Sequence, residues 1–171
     1  MHMKKLIMLL IITLLLAGCD TNKDDGNSGD KNIRNADKAS GYQFDYNGVA
    51  IHMNDNAEPI VDALGTPMEY FEAPSCAFQG LDKIYYYGGF QLSTYPGSDG
   101  DYISAVEFTD DSVSTKEGIC LGDSREKIVD AYGNGYTENS ASLIYTKGNS
   151  NLTFLMEENA AAAIHYEFIT D

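Results

Sequence analysis

Basic residues are scarce in this 171-residue chain: 11 Lys and Arg stand against 26 Asp and Glu, a formal charge of −15. Nucleic-acid binders concentrate Lys and Arg on one surface, so the deficit argues against a nucleic-acid partner. It also sets the surface against anionic lipid head groups. Histidine is rarer still. Of His2, His52 and His165, the last two sit in strand-like runs with no Cys, His or acidic residue at zinc spacing, and solvent-facing strand histidines are the simpler reading. No G-x-S-x-G turn and no glycine-rich phosphate loop occurs. The carboxylate pairs Asp99/Asp101 and Asp110/Asp111 do not fit the calcium loop with its terminal glutamate, and turn chemistry accounts for both, a weak extracellular calcium site being the alternative. The expectation is no metal, no cofactor, no catalytic residue, and hence no enzyme. A hydrolase assembled from distant residues is the lesser alternative.

Long apolar runs are missing too. The longest, Leu6 to Leu16 interrupted only by Thr13, follows Lys4 and Lys5 and falls short of the roughly 20 residues of a membrane-spanning helix. It has the make-up of a signal-peptide core. Its end, Leu16-Ala17-Gly18-Cys19, resembles a bacterial lipobox. The resemblance implies cleavage of residues 1–18 and acylation of Cys19, which would hold the chain in the bilayer on the extracytoplasmic face of the cell membrane. Two acyl chains give a stable anchor where one does not. Cleavage would remove two lysines and no acids, leaving nine basic residues against 26 acidic ones and a charge of −17. Residues 19–41 contain no aromatic and one large aliphatic, Ile33. Such a stretch buries too little apolar surface to offset the entropy of ordering, and a lipidated flexible tether is expected.

Cysteine is nearly absent. With Cys19 acylated, Cys76 and Cys120 are an even pair outside the cytoplasm, which reads as a disulfide. Closing that loop would contribute about 3–5 kcal/mol in the chain-entropy model. Two separate buried thiols are the alternative.

What is present is pattern. Tyr42, Phe44 and Tyr46 alternate, as do Val49, Ile51 and Met53, with Asn47-Gly48 between them; this predicts a hairpin whose turn residues accept positive φ. "NDNAEPIVDALG" at 54–65 and "GDSREKIVDAYG" at 122–133 match at seven of twelve positions. Asp55 with Glu58, and Asp123 with Glu126, have capping-box spacing. Ile60, Val61 and Leu64 share a helical face, as do Ile128, Val129 and Tyr132, and Gly65 and Gly133 stand where a left-handed C-terminal cap belongs. Every matching residue has a helix-building role. Three strand-like runs follow each helix: "DKIYYY", "FQLSTY" and "DYISAVEF", then "ASLIYT", "NLTFLM" and "AAIHYEF". The expected fold is α+β: two tandem units, 42–115 and 116–171, each a helix plus an antiparallel meander, with both helices on one side of a sheet.

The pattern I-x-L-G-D-S-x-x-x-I-V-x-x-Y-G at 119–133, its weaker copy at 51–65 and the strands after each resemble the β-lactamase-inhibitor-protein-like tandem fold. That fold occurs in half-length form in the outer-membrane assembly lipoprotein BamE and is common among lipoproteins of Gram-positive bacteria. The inhibitor proteins carry a disulfide in each repeat, a pattern that Cys76 and Cys120 do not reproduce.

One stretch stands out as a surface. In "KIYYYGGF" alternation puts Ile84 and Tyr86 on one face and Tyr85 and Tyr87 on the other. One face must pack on the helices. The other is either an exposed tyrosine surface or is covered by the second unit or the tether. Tyrosine is rigid and amphipathic and is enriched at protein interfaces, so Tyr85 and Tyr87, with Tyr95 and Tyr102 as neighbours, are the candidate binding surface. The reading that follows is a non-catalytic, membrane-anchored module that binds an extracytoplasmic protein, an inhibitor-like role being one form of it; a structural or assembly subunit of an envelope complex is the alternative.

Overall fold

A computed structural model describes residues 41–169. The expected signal segment 1–18, the expected acylation site Cys19 and the expected tether up to residue 40 lie outside the described residues. The chain opens with a hairpin, β1 (Gln43–Tyr46) and β2 (Val49–His52). Its Asn47-Gly48 turn has φ of +49° and +83°, both positive as a two-residue primed turn requires. Phe44 and Ile51 are fully buried and Met53 nearly so, as the alternation predicts.

Helix α1 (Ala57–Leu64) leads into β3 (Glu69–Pro74), β4 (Leu81–Tyr87), β5 (Phe90–Pro96) and β6 (Asp101–Phe108). Helix α2 (Arg125–Tyr132) leads into β7 (Thr137–Asn139), β8 (Ser142–Lys147), β9 (Ser150–Glu157) and β10 (Ala160–Phe168). Each helix is therefore followed by four strands, not three. The strands form one antiparallel sheet of eight, ordered β3-β4-β5-β6-β10-β9-β8-β7. The last strand of each half meets its counterpart at the centre, where Val106 faces Tyr166 and Glu107 faces His165. The result is an α+β fold, two short helices against a large sheet with an added hairpin.

The helix ends follow the residue chemistry with one shift. Gly65 and Gly133 take φ of +79° and +80°, and their N–H groups donate to the Val61 and Val129 carbonyls. The N-caps are Asn56 and Ser124, one residue later than the expected capping boxes. Asn56 Oδ1 accepts from the Glu58 N–H at 3.0 Å, and Ser124 Oγ accepts from the Lys127 N–H at 3.3 Å. Asp123 turns back instead, accepting from the Cys120 N–H at 2.7 Å and from Lys127 Nζ at 2.7 Å. Those two donors hold its carboxyl below the usual range. Asp55 lies 3.4 Å from His52 Nδ1. Aspartate competes for backbone and side-chain donors upstream of the helix, which leaves the cap to the next polar residue.

One face of the sheet carries the core. Tyr87, Phe90, Leu92, Ile103, Val106, Phe108, Leu143, Tyr145, Leu152, Phe154, Ile164 and Tyr166 are all buried, together with Ile60 and Ile128 from the helices. Two tyrosines tie the helix ends to this face: the Tyr87 hydroxyl donates to the Gly65 carbonyl at 3.5 Å and that of Tyr145 to the Gly133 carbonyl at 2.9 Å. The hairpin closes the core over the central seam, with the Phe44 ring 5.0 Å from Phe90, 5.2 Å from Phe108 and 6.0 Å from Tyr166. Among the described residues no helix is long and apolar enough to cross a membrane.

Candidate functional site

Exposed apolar side chains gather at one place. Of the six large hydrophobic residues exposed among the described residues, Met68, Tyr70, Phe71, Phe78 and Leu81 all lie between residues 68 and 81, and Leu155 lies elsewhere. This stretch is β3, the loop after it and the start of β4. Gly65-Thr66-Pro67 ends α1 and forces an extended restart, because proline disfavours a helical residue before it. β3 then pairs with β4 alone, Tyr70 facing Tyr85 and Phe71 facing Ile84. It is an edge strand with little packed over either face: five of its six residues are exposed.

The β3–β4 loop folds its aromatic residue back onto the sheet. The Ser75 N–H donates to the Gly80 carbonyl at 3.0 Å, and Ser75 Oγ accepts from the N–H groups of Ala77 and Phe78 at 3.3 and 3.2 Å. This tight turn lays the Phe78 ring 5.1 Å from that of Tyr95. Tyr95 in turn stacks on Phe168, 5.9 Å away and nearly parallel, lies 5.8 Å from Tyr102, and donates its hydroxyl to Asn54 Oδ1. Asn54, Phe78, Tyr95, Ser104 and Phe168 line a cleft of about 540 Å³. A smaller hollow of about 290 Å³ continues from it past Ile84 and Ser93. Apolar walls with a few polar groups at their ends suit the capture of an aromatic or aliphatic side chain. Burial pushes the Tyr95 hydroxyl upward, so it stays a neutral donor at physiological pH.

The four tyrosines of the candidate surface do not come together. Tyr87 is buried in the core and Tyr85 is half-buried beside it, because their register partners are Phe90 and Leu92. Tyr95 alternates with buried Thr94 and Pro96 and so points to the opposite face, opposite Tyr102. The tyrosine surface thus resolves into a core pair and a second pair, of which Tyr95 lines the cleft and Tyr102 lies beside it. Sequence reading missed Phe71, Phe78, Phe168 and Asn54, which flank or line the cleft. The available signal was an aromatic pair, Tyr70-Phe71, set between glutamates in a segment that offers no buried face of its own.

The expected Cys76–Cys120 disulfide is not formed; both cysteines are free, Cys76 exposed and Cys120 half-buried. The topology explains why. Cys76 lies in the loop at the end of the sheet where β6 begins, since Lys83 faces Thr94 and Thr94 faces Ile103. Cys120 sits beside Gly122, whose N–H donates to the Ala161 carbonyl at the start of β10. β10 runs antiparallel to β6, so its start is at the other end of the sheet. Disulfide geometry needs Cα atoms within about 7 Å.

Lys83, Asp99, Asp101 and Asp110 have structural partners. Lys83 Nζ bonds Asp101 at 2.6 Å, and that carboxylate raises the lysine further; the pair floors a polar groove of about 370 Å³ beside Glu58 and Asp62 of α1. Asp99 accepts from the Tyr102 hydroxyl, and Asp110 accepts from the Ser112 N–H at 2.8 Å. His165 is half-buried, 3.7 Å from Glu167. Among the described residues no group of three His, Cys, Asp or Glu is placed to hold a metal ion. No family model, curated protein or solved structure matches this chain.

Proposed function

We propose that this chain is a non-catalytic protein-binding module, held at the extracytoplasmic face of the cell membrane by acylated Cys19 and related to the tandem fold of the β-lactamase-inhibitor-protein-like and BamE-like proteins. The kinship is supported by the order of elements: a helix and an antiparallel meander, twice, with matching caps and a matching tyrosine bond to each helix end. The binding role is carried by one observation, the concentration of exposed apolar residues in 68–81 next to an aromatic cleft. A soluble domain does not ordinarily expose such side chains together unless something docks on them. The lipid supplies the attachment that so acidic a surface cannot supply by charge.

The reading is tested with a photoactivatable amino acid in place of Phe78 in the membrane-anchored full chain. Discrete protein adducts are expected from this position and not from Leu155, the exposed apolar residue of the second half. No adducts, or the same adducts from both positions, would sink it.

A further inference from the structure

We propose that β3 is an open docking edge for an extended, basic polypeptide segment, which joins the sheet as an added strand. The proposal rests on the protein-binding reading and names the partner's chemistry. Its first support is a comparison of the two edges of the sheet. At one edge, β7 is three polar residues, Thr137-Glu138-Asn139; short polar edges are how proteins avoid strand addition. At the corresponding edge of the first half, β3 is six residues long, with Tyr70 48% and Phe71 56% exposed and Met68 71% exposed just before it. The brevity and all-polar make-up that protect β7 are absent from β3, which is guarded by two glutamates and a terminal proline.

The second support is charge. Residues 42–115 contain twelve acids and a single base, Lys83. That lysine is bound to Asp101 and faces Glu72 across the β3–β4 pair. The half of the molecule that owns the open edge therefore has no spare cation, and two of the acids, Glu69 and Glu72, are in β3 itself. A second copy of this acidic chain meets like charge at this edge. A basic segment meets complementary charge, which steers encounter and fixes partner choice.

The side-chain order sets what such a segment looks like. Glu69, Phe71 and Ala73 share one face with Ile84 and Tyr86, while Tyr70 and Glu72 share the other with Tyr85 and Lys83. An incoming strand that sets basic residues opposite Glu69 and Glu72 and apolar residues opposite Tyr70 and Phe71 answers one carboxylate and covers one aromatic ring on each face. Main-chain bonds to the free edge supply affinity, as in other strand-addition complexes.

The test titrates the full chain with labelled short peptides: a Lys-Val peptide repeating Lys-Val-Val, a Glu-Val peptide repeating Glu-Val-Val, and a Lys-Gly peptide repeating Lys-Gly-Gly, which keeps the charge and loses strand propensity. The Lys-Val peptide is expected to bind, to bind less tightly as salt rises, and to slow amide exchange at residues 69–73. The Glu-Val peptide is expected not to bind. Charge reversal by Glu69→Lys with Glu72→Lys should weaken Lys-Val binding about tenfold or more, and Phe71→Thr, a milder change at an exposed site, should weaken it as well. Thr137→Lys at the other edge should not. Equal binding of Lys-Gly, unchanged binding by the reversed variant, or unslowed β3 amides would overturn the proposal by reducing the effect to general attraction. Protection of β3 without peptide, growing with protein concentration, would overturn it in favour of a second copy. If Lys-Val fails to bind while the Phe78 photoprobe still yields its adducts, the edge falls and the binding reading stands; if both fail, both fall.

Discussion

Tyr145 and Tyr87 occupy the same place in the two halves, but their hydrogen bonds differ in quality. At 2.9 Å the Tyr145 hydroxyl makes a normal bond to the Gly133 carbonyl, while at 3.5 Å Tyr87 is at the limit of one to Gly65. A hydrogen bond of this kind is worth about 1 kcal/mol net, and little survives at the longer distance. Tyr145→Phe should therefore lower stability by about that amount and Tyr87→Phe by less. The Tyr145 bond should also show in the pH dependence. Burial pushes this hydroxyl up to about 12, against about 10 in the unfolded chain. A raised folded-state pKa contributes stability that is complete below pH 10 and fades as pH climbs through the folded value. The difference between wild type and Tyr145→Phe in urea unfolding should thus be constant at neutral pH and shrink above about pH 10; a difference that grew there would contradict the assignment. Thr94 is the opposite case. It is 2% exposed and its hydroxyl has no hydrogen-bond partner among the described residues, so its desolvation is uncompensated.

At the scale of elements, the two helices were legible because each of their matching residues acts locally. A buried isoleucine, a proline or polar residue in the first turn and a glycine at the end report on the helix that contains them. The hairpin was legible for the same reason, since Asn47-Gly48 sets its own turn. β3 and β7 were not. "EYFEAP" and "TEN" are edge strands with nothing buried on either face, so they lack the alternation by which half-buried strands announce themselves. The N-caps were misplaced by one because Asp, Asn and Ser can all cap, and the choice depended on where the Cys120 N–H and Lys127 lay. The C-terminal glycines are the stricter requirement. Gly133 has φ +80° and ψ −171°, a region essentially closed to other residues, although no atom stands within 4 Å of an added Cβ. Gly133→Ala should therefore cost about 1–3 kcal/mol through backbone strain alone. Ser124→Ala removes a long 3.3 Å cap bond and should cost about 1 kcal/mol or less. Urea denaturation of both variants checks the order, and a Gly133→Ala protein as stable as wild type would show that the helix end can relax.

Across the whole molecule, the repeated sequence announced two units but not how they join. The seam pairs Val106 with Tyr166, sixty residues apart in the chain, and no local pattern encodes a partner at that distance. The same limit applies to the candidate site. Its rings come from β5, β10 and a loop, and the reading of "KIYYYGGF" found its two faces without finding which one packs on the helices. The seam makes the halves energetically one. Phe44 from the hairpin touches Phe90 and Phe108 of the first half and Tyr166 of the second, and the buried residues form a single cluster. Leu92 and Leu152 are each fully buried in that cluster, one in each half. Truncating either to alanine removes buried methyl groups and leaves a cavity, at a cost of about 2–5 kcal/mol. If the core is shared, the loss must be felt on both sides of the seam. Native-state amide exchange read by mass spectrometry should then show Leu92→Ala releasing protection in β8 and β9 as much as in β4 and β5, and Leu152→Ala doing the reverse to the same extent. Protection lost only in the mutated half, or two separate unfolding transitions, would mean that the two helix-and-meander units fold independently and that the central strand pair is a contact between domains.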